Sequence, residues 1–147
     1  MSQSGSYSGS CLCGAVAYEF EGEPRIVVNC HCSKCRKATG STVATWVLVP
    51  LDRFRWTRGE QLLKSFASSD EAQRAFCGTC GAVMGNLSSK RPTLMHLSAG
   101  TLDHAPALQV KFHLHVASKA PWHIITDELP QFADEPSASP SPPTPQA

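Results

Sequence analysis

Val27-Val28-Asn29-Cys30-His31-Cys32-Ser33-Lys34-Cys35 sets three cysteines within six residues, directly behind an apolar run. Two tighter doublets accompany it, Cys11-Leu12-Cys13 and Cys77-Gly78-Thr79-Cys80. The seven cysteines therefore fall in groups of two, three and two. A doublet of this kind is a chelating turn: it supplies half of a tetrahedral thiolate site, and a second doublet completes it. Three thiolates and an open fourth position form the pattern of a catalytic zinc rather than a structural one.

The same cysteines could be disulfide partners or small buried hydrophobes. Disulfides need an oxidising compartment. Residues 1–10 are rich in Ser and Gly, with no basic residue and no apolar run, so no secretory leader is expected. No run of about 18 apolar residues is present, so no membrane span is expected. A cytoplasmic chain is the simplest expectation, and there paired cysteines bind metal or carry out redox chemistry. A thioredoxin-like pair fits Cys77 and Cys80 less well, because no clear helix follows them. The net charge of +1 argues against nucleic-acid binding and against a polybasic membrane surface.

Working outward from the triplet, the pattern predicts a mainly β chain with little helix. Ten glycines and eleven prolines suit short strands and turns better than a helical bundle. Strands are expected at 15–20, 26–29, 41–49, 82–86, 94–99, 110–116 and 122–125. Residues 73–76 lead into the 77–80 doublet, which is expected in a tight loop between strands. Residues 54–56 and 62–66 flank Thr57-Arg58-Gly59-Glu60 as a hairpin. Residues 33–38 read as one helical turn, ended by Gly40. Over 110–116, Lys111, His113 and His115 alternate with Val110, Phe112, Leu114 and Val116, which predicts a polar, solvated or hydrogen-bonded face. Asp103 and His104 read either as a pair or, more simply, as a turn. A flexible N-terminus at 1–8, one zinc-binding domain at 9–133 and a disordered Pro/Ser-rich tail at 134–147 complete the expected organisation.

Spacing alone allows several groupings of the sulfurs. One sets Cys11, Cys13, Cys77 and Cys80 round one ion and Cys30, Cys32 and Cys35 round another. It uses every cysteine and joins the first strand to a turn more than 60 residues later. The rival joins Cys11 and Cys13 to part of the triplet and leaves Cys77 and Cys80 under-coordinated. Zinc suits all-thiolate coordination, whereas iron–sulfur clusters usually draw on one longer cysteine run. His31 is either a fourth ligand of the triplet or a supporting and packing residue, since neighbouring residues seldom reach one ion.

The strings Gly9-Ser10-Cys11-Leu12-Cys13-Gly14, Asn29-Cys30-His31-Cys32-Ser33-Lys34-Cys35-Arg36-Lys37 and Phe76-Cys77-Gly78-Thr79-Cys80-Gly81 resemble the family of glutathione-dependent formaldehyde-activating enzymes and centromere protein V. His115-Val116-Ala117-Ser118-Lys119-Ala120-Pro121-Trp122 resembles it too. The likeness runs from about Ser8 to Phe132 and leaves out both tails. It implies a β-tent of coiled antiparallel sheets with two Zn2+ per chain. The structural zinc would lie on Cys11, Cys13, Cys77 and Cys80, and the catalytic zinc on Cys30, Cys32 and Cys35. The implied activity is that of a carbon–sulfur lyase joining glutathione and formaldehyde, or a related thiol and aldehyde, to S-hydroxymethylglutathione. The centromere relative would be expected to carry a basic extension, and residues 1–9 have no Lys or Arg. A zinc-scaffolded protein-binding module without catalysis is the alternative.

Two roles for the second metal stay open: holding a substrate thiol as its thiolate, or polarising the aldehyde oxygen. Three anionic ligands blunt Lewis acidity and favour the first. Arg36, Lys37 and Arg74 adjoin the cysteine groups, where they either meet the glutathione carboxylates or are ordinary surface charge. Trp46, Trp56 and Trp122 read as core or pocket wall.

Overall fold

The computed structural model describes residues 5–106 and 108–136. Its strands are β1 (Ser6–Ser10), β2 (Ala17–Glu21), β3 (Ile26–Cys30), β4 (Ala44–Pro50), β5 (Phe54–Arg58) and β6 (Leu63–Ala67). They continue with β7 (Ala72–Cys77), β8 (Val83–Ser88), β9 (Leu94–Ser98), β10 (Leu102–His104) and β11 (Phe112–Leu114). A short helix, α1, spans Ser33–Thr39. The mainly β expectation holds, and no described helix is long and apolar enough to cross a membrane.

The chain divides into two compact units. The first comprises Met1–Ile26 and Trp46–Leu108, the second Val27–Thr45 and Gln109–Ala147.

In the first unit, β10, β1, β2 and β5 form an antiparallel sheet in that order. Alternation along β1 turns Tyr7 inward, opposite Phe20 of β2, and the two buried rings stack with centroids 4.6 Å apart. Residues 6–8 therefore belong to a strand, not to the flexible N-terminus expected at 1–8. Burial of the Tyr7 ring and five paired positions along β2 hold them there. Residues 1–4 of that expected segment lie outside the described residues. Asp103 sits in β10, where its carboxylate accepts a hydrogen bond from the Ser10 hydroxyl, so it is neither turn nor partner of His104.

The unit's second set of strands runs antiparallel in the order β4, β9, β8, β7, β6. Val47, Val49, Met84 and Leu97 are fully buried in it. The expected hairpin of residues 54–56 with 62–66 does not form. β5 pairs with β2, and β6 pairs with β7. The link between them is not a two-residue hairpin turn. Gly59 lies at φ +71°, where a Cβ would run into the Ala15 carbonyl oxygen, and a 3-10 turn at Glu60–Leu62 follows.

In the second unit, β3 and β11 pair in parallel, with Val28 opposite Phe112, Asn29 opposite His113 and Cys30 opposite Leu114. The other edge of β11 is held by residues 130–132: His113 N–H donates to the Pro130 carbonyl, and Phe132 N–H to the His113 carbonyl. Only 112–114 of the expected 110–116 strand forms, since His115 adopts φ 57°. Of the two expected characters of the polar face, Lys111 keeps the exposed one, and the hydrogen-bonded one holds at His113, which is 2% exposed and bonded to His31 and Asp127. With strand neighbours on both edges, its ring is directed inward and meets polar partners there. The strand expected at 122–125 is absent, and Trp122 and Ile124 are exposed. The His115 N–H donates to the Asp134 carbonyl, so the expected tail is tied at its first residue; residues 137–147 lie outside the described residues.

Candidate metal centre

Both cysteine groups assemble as four and three. The sulfurs of Cys11, Cys13, Cys77 and Cys80 lie within 4.8 Å of one another, as do those of Cys30, Cys32 and Cys35. The rival grouping of Cys11 and Cys13 with the triplet is not observed, and among the described residues no cysteine is in a disulfide.

The four-sulfur group is built from two like turns. Gly14 N–H donates to the Cys11 carbonyl in one, and Gly81 N–H to the Cys77 carbonyl in the other. Val16 N–H donates to Cys11 Sγ, and the amides of Thr79 and Cys80 donate to Cys77 Sγ. Cys11 Sγ stands 3.6 Å from Cys13 Sγ, and Cys13 Sγ 3.9 Å from Cys77 Sγ. Tetrahedral zinc with Zn–S bonds of about 2.3 Å sets its sulfurs roughly 3.8 Å apart. The group therefore fits zinc. The Ala82 amide, ahead of the Cys13 amide, lowers the Cys80 thiol to about 6, which favours one thiolate from the start.

The triplet uses a strand end and a helix start. Cys30 closes β3. Cys32 is the N-cap of α1, its sulfur accepting from Cys35 N–H at 3.2 Å. Cys35 follows in the first turn, and the left-handed Gly40 ends the helix as the sequence predicts. Cys30 and Cys35 are buried and Cys32 half-buried. The Cys32 and Cys35 sulfurs, then burial, push the Cys30 thiol far up. Three thiolates so crowded need a cation beside them, which is what a divalent soft metal provides. The residues fit that group. His31 is not grouped with these sulfurs, which favours the supporting role over the fourth ligand.

His31 is instead the end of a chain that periodicity missed. Its Nε2 lies 2.8 Å from His113 Nδ1, and His113 Nε2 lies 3.0 and 3.1 Å from the two Asp127 carboxylate oxygens. Asp127 also accepts from Leu129 N–H at 3.0 Å. Burial, then His113, His123, Lys119 and Arg36, hold the His31 ring down to about 4, so it is neutral near pH 7. Burial alone would raise Asp127, but the Leu129 amide and His113 bring it below its ordinary value. A cavity of about 220 Å³ adjoins this chain, lined by Asn29, Thr45, His113, His123 and Asp127 among others. In the sequence only the place of His31 between two cysteines was visible. Residues 31 and 113 meet because β3 and β11 pair, and no local pattern announces a parallel partner 82 residues away.

The basic residues separate. Arg36 donates to the carbonyls of His31 and Ser118, so it ties the cysteine loop to the turn at Val116–Ser118. Lys37 is exposed. Arg74 belongs to the first unit, buried over the Trp46 ring with its Nε donating to Ser68 Oγ. Trp46 is core, Trp56 is half-buried against Tyr18 and Phe54, and Trp122 is exposed.

Residues 6–118 match the family described as glutathione-dependent formaldehyde-activating enzyme. The chain belongs to this family. The matched span holds all seven cysteines and both histidines of the chain just described, but not Asp127. An uncharacterized lyase of Schizosaccharomyces pombe is 30% identical over 83 residues, covering 53% of this chain and 55% of that protein. The chain thus matches about half the length of this relative. A Rhodobacter sphaeroides protein of known crystal structure is 27% identical, with a TM-score of 0.57, covering 67% of this chain and 89% of its own.

Proposed function

We propose that this family member is a zinc-dependent carbon–sulfur lyase-type enzyme, like an S-hydroxymethylglutathione synthase. Its substrates are glutathione, or another thiol, and formaldehyde or a related aldehyde. In the forward direction a sulfur–carbon bond forms, the carbonyl π bond opens onto oxygen, the thiol loses its proton and the new alkoxide oxygen gains one. The single observation that carries the reading is the donor count: three converging thiols and, among the described residues, no fourth protein ligand grouped with them. Family membership supports the thiol and aldehyde as substrates.

Cys30, Cys32 and Cys35 would hold the catalytic ion, and Cys11, Cys13, Cys77 and Cys80 a structural one. When bound in a three-thiolate site, zinc supplies an open position that lowers a thiol's hold on its proton. The protein's share is geometry. Arg36 fastens the loop backbone, the N-cap bond fixes Cys32, and Gly40 ends the helix behind it. Holding thiol and aldehyde together then replaces a bimolecular encounter by a local one. Seven cysteines without a disulfide among them suit a reducing compartment, so the cytoplasm is the proposed location.

Metal analysis should find two zinc ions per chain. Two-dimensional exchange NMR should then show glutathione–formaldehyde interconversion faster than the spontaneous rate. A fully loaded protein that leaves that rate unchanged would rule out the named activity, and one zinc per chain would favour a binding module.

A further inference from the structure

β6 ends its sheet, and its hydrogen-bonding phase is fixed at both ends. Gly78 N–H donates to the Leu62 carbonyl and Ser68 N–H to the Ala72 carbonyl, and the register between them runs without a shift. In an antiparallel ladder, pairs that exchange hydrogen bonds alternate with pairs that do not. Lys64 and Phe66 therefore bond to β7, whereas Leu63, Ser65 and Ala67 turn their N–H and C=O groups away from it. The Leu63 N–H is taken by the Glu60 carbonyl. Among the described residues, the other outward groups, on Ser65 and Ala67 and at the Leu63 carbonyl, meet no partner. Sheet edges are commonly blunted by a proline, a bulge or a covering loop. β6 has neither proline nor bulge, and residues 64–67 are all exposed, Phe66 by 65%.

We infer that β6 pairs antiparallel with β6 of a second copy of this chain, about a two-fold axis through Ser65. This register sets Ser65 opposite its own counterpart, Leu63 opposite Ala67 and Lys64 opposite Phe66 of the other copy. The Ser65 N–H groups donate to the Ser65 carbonyls in both directions. The Ala67 N–H meets the Leu63 carbonyl, so Leu63 is asked only for the acceptor it still has free. Opposed side chains share a face of the sheet, so the neighbouring registers lie two residues away. One opposes Lys64 to Lys64, which repels. The other opposes Phe66 to Phe66 and leaves Leu63 unpaired. In the middle register, Lys64 and Phe66 form a pair without hydrogen bonds, where Cα atoms are only about 4.5 Å apart and an ammonium can meet an aromatic face. β7 already sets Phe76 opposite Lys64 and Arg74 opposite Phe66. The joined row then reads Phe76, Lys64, Phe66, Arg74, with ring and cation alternating across the two copies. One strand edge buries little area, so the dimer is a weak one.

Sedimentation velocity on the metal-loaded chain should show a monomer–dimer equilibrium between about 10 µM and about 1 mM, where small interfaces dissociate. Hydrogen exchange over the same range locates the contact. The Ser65 and Ala67 amides should slow as concentration rises, while those of Lys64 and Phe66, bonded to β7, should not change. Ser65→Pro removes an outward N–H that β7 does not use, so the fold should stand while dimerisation weakens about 10-fold or more. Phe66→Glu tests the register, because it sets a carboxylate opposite Lys64 of the other copy and Arg74 of its own. Its dimer should be as tight or tighter, whereas Lys64→Glu/Phe66→Glu, with carboxylates opposed, should be monomeric. A chain monomeric throughout, Ser65 and Ala67 amides indifferent to concentration, an undiminished dimer in Ser65→Pro or a monomeric Phe66→Glu would overturn the inference.

Discussion

At the scale of single residues, Gly59 shows how narrowly some positions are set. A Cβ there would stand 2.0 Å from the Ala15 carbonyl oxygen, and the backbone lies at φ +71°. The obstructing atom is main chain, so no side-chain rotation relieves it. The left-handed backbone and the overpacking together make Gly59→Ala destabilising by on the order of 3 kcal/mol. Thermal unfolding of the metal-loaded protein should fall by roughly 10 °C; an unchanged midpoint would mean that the Ala15 contact is not maintained. His113 marks the opposite case, a residue whose setting was hidden. The alternation around it predicts a strand, of which only 112–114 forms, and alternation does not say which face is inside. The sequence leaves a solvated and a hydrogen-bonded face open, because the partners that make an inward imidazole tolerable, His31 and Asp127, are remote in sequence. The cysteines were legible for the converse reason: their spacing within each turn is itself the chelating geometry.

At the scale of elements, β-branched runs and the Gly40 stop located most strands and the helix, whereas pairing was less legible. The four residues between β5 and β6 look like a hairpin loop, yet each strand finds its edge elsewhere. Strand existence follows from local composition, but strand pairing follows from which buried faces match, and Tyr18 against Phe54 and Trp56 settles it for β5. The helix permits a sharper test. Cys32 serves two roles at once, as a member of the sulfur triplet and as the cap of α1. Serine is among the best N-cap residues, so Cys32→Ser keeps an acceptor for the Cys35 amide while removing one thiolate. The expected protein folds with circular dichroism and melting close to wild type, but carries one zinc instead of two and has lost the proposed activity. Retention of both zincs in this variant would separate Cys32 from the metal.

At the scale of the whole chain, each cysteine group lies inside one compact unit, and the consequences of losing it differ accordingly. The four-sulfur group joins turns 64 residues apart in sequence, as Cys13 and Cys77 show, and thereby closes a long loop of the first unit. The triplet closes a loop of only six residues. Loop-closure entropy grows with the length enclosed, and metal binding to ligands brought together by folding contributes directly to stability. Cys80→Ser should therefore cost far more stability than Cys32→Ser, with unfolding or aggregation the expected outcome. Graded chelation provides the same comparison without mutation. Removal of the triplet's metal should leave the amides of β1, β2, β7 and β8 protected from hydrogen exchange. Removal of the second ion should expose them, beginning at the turns 11–14 and 77–81, where amides that donate to sulfur lose a fixed partner. Exchange that accelerates in these strands as soon as the first ion leaves, or equal destabilisation by the two serine variants, would contradict the assignment of one site to architecture and the other to chemistry.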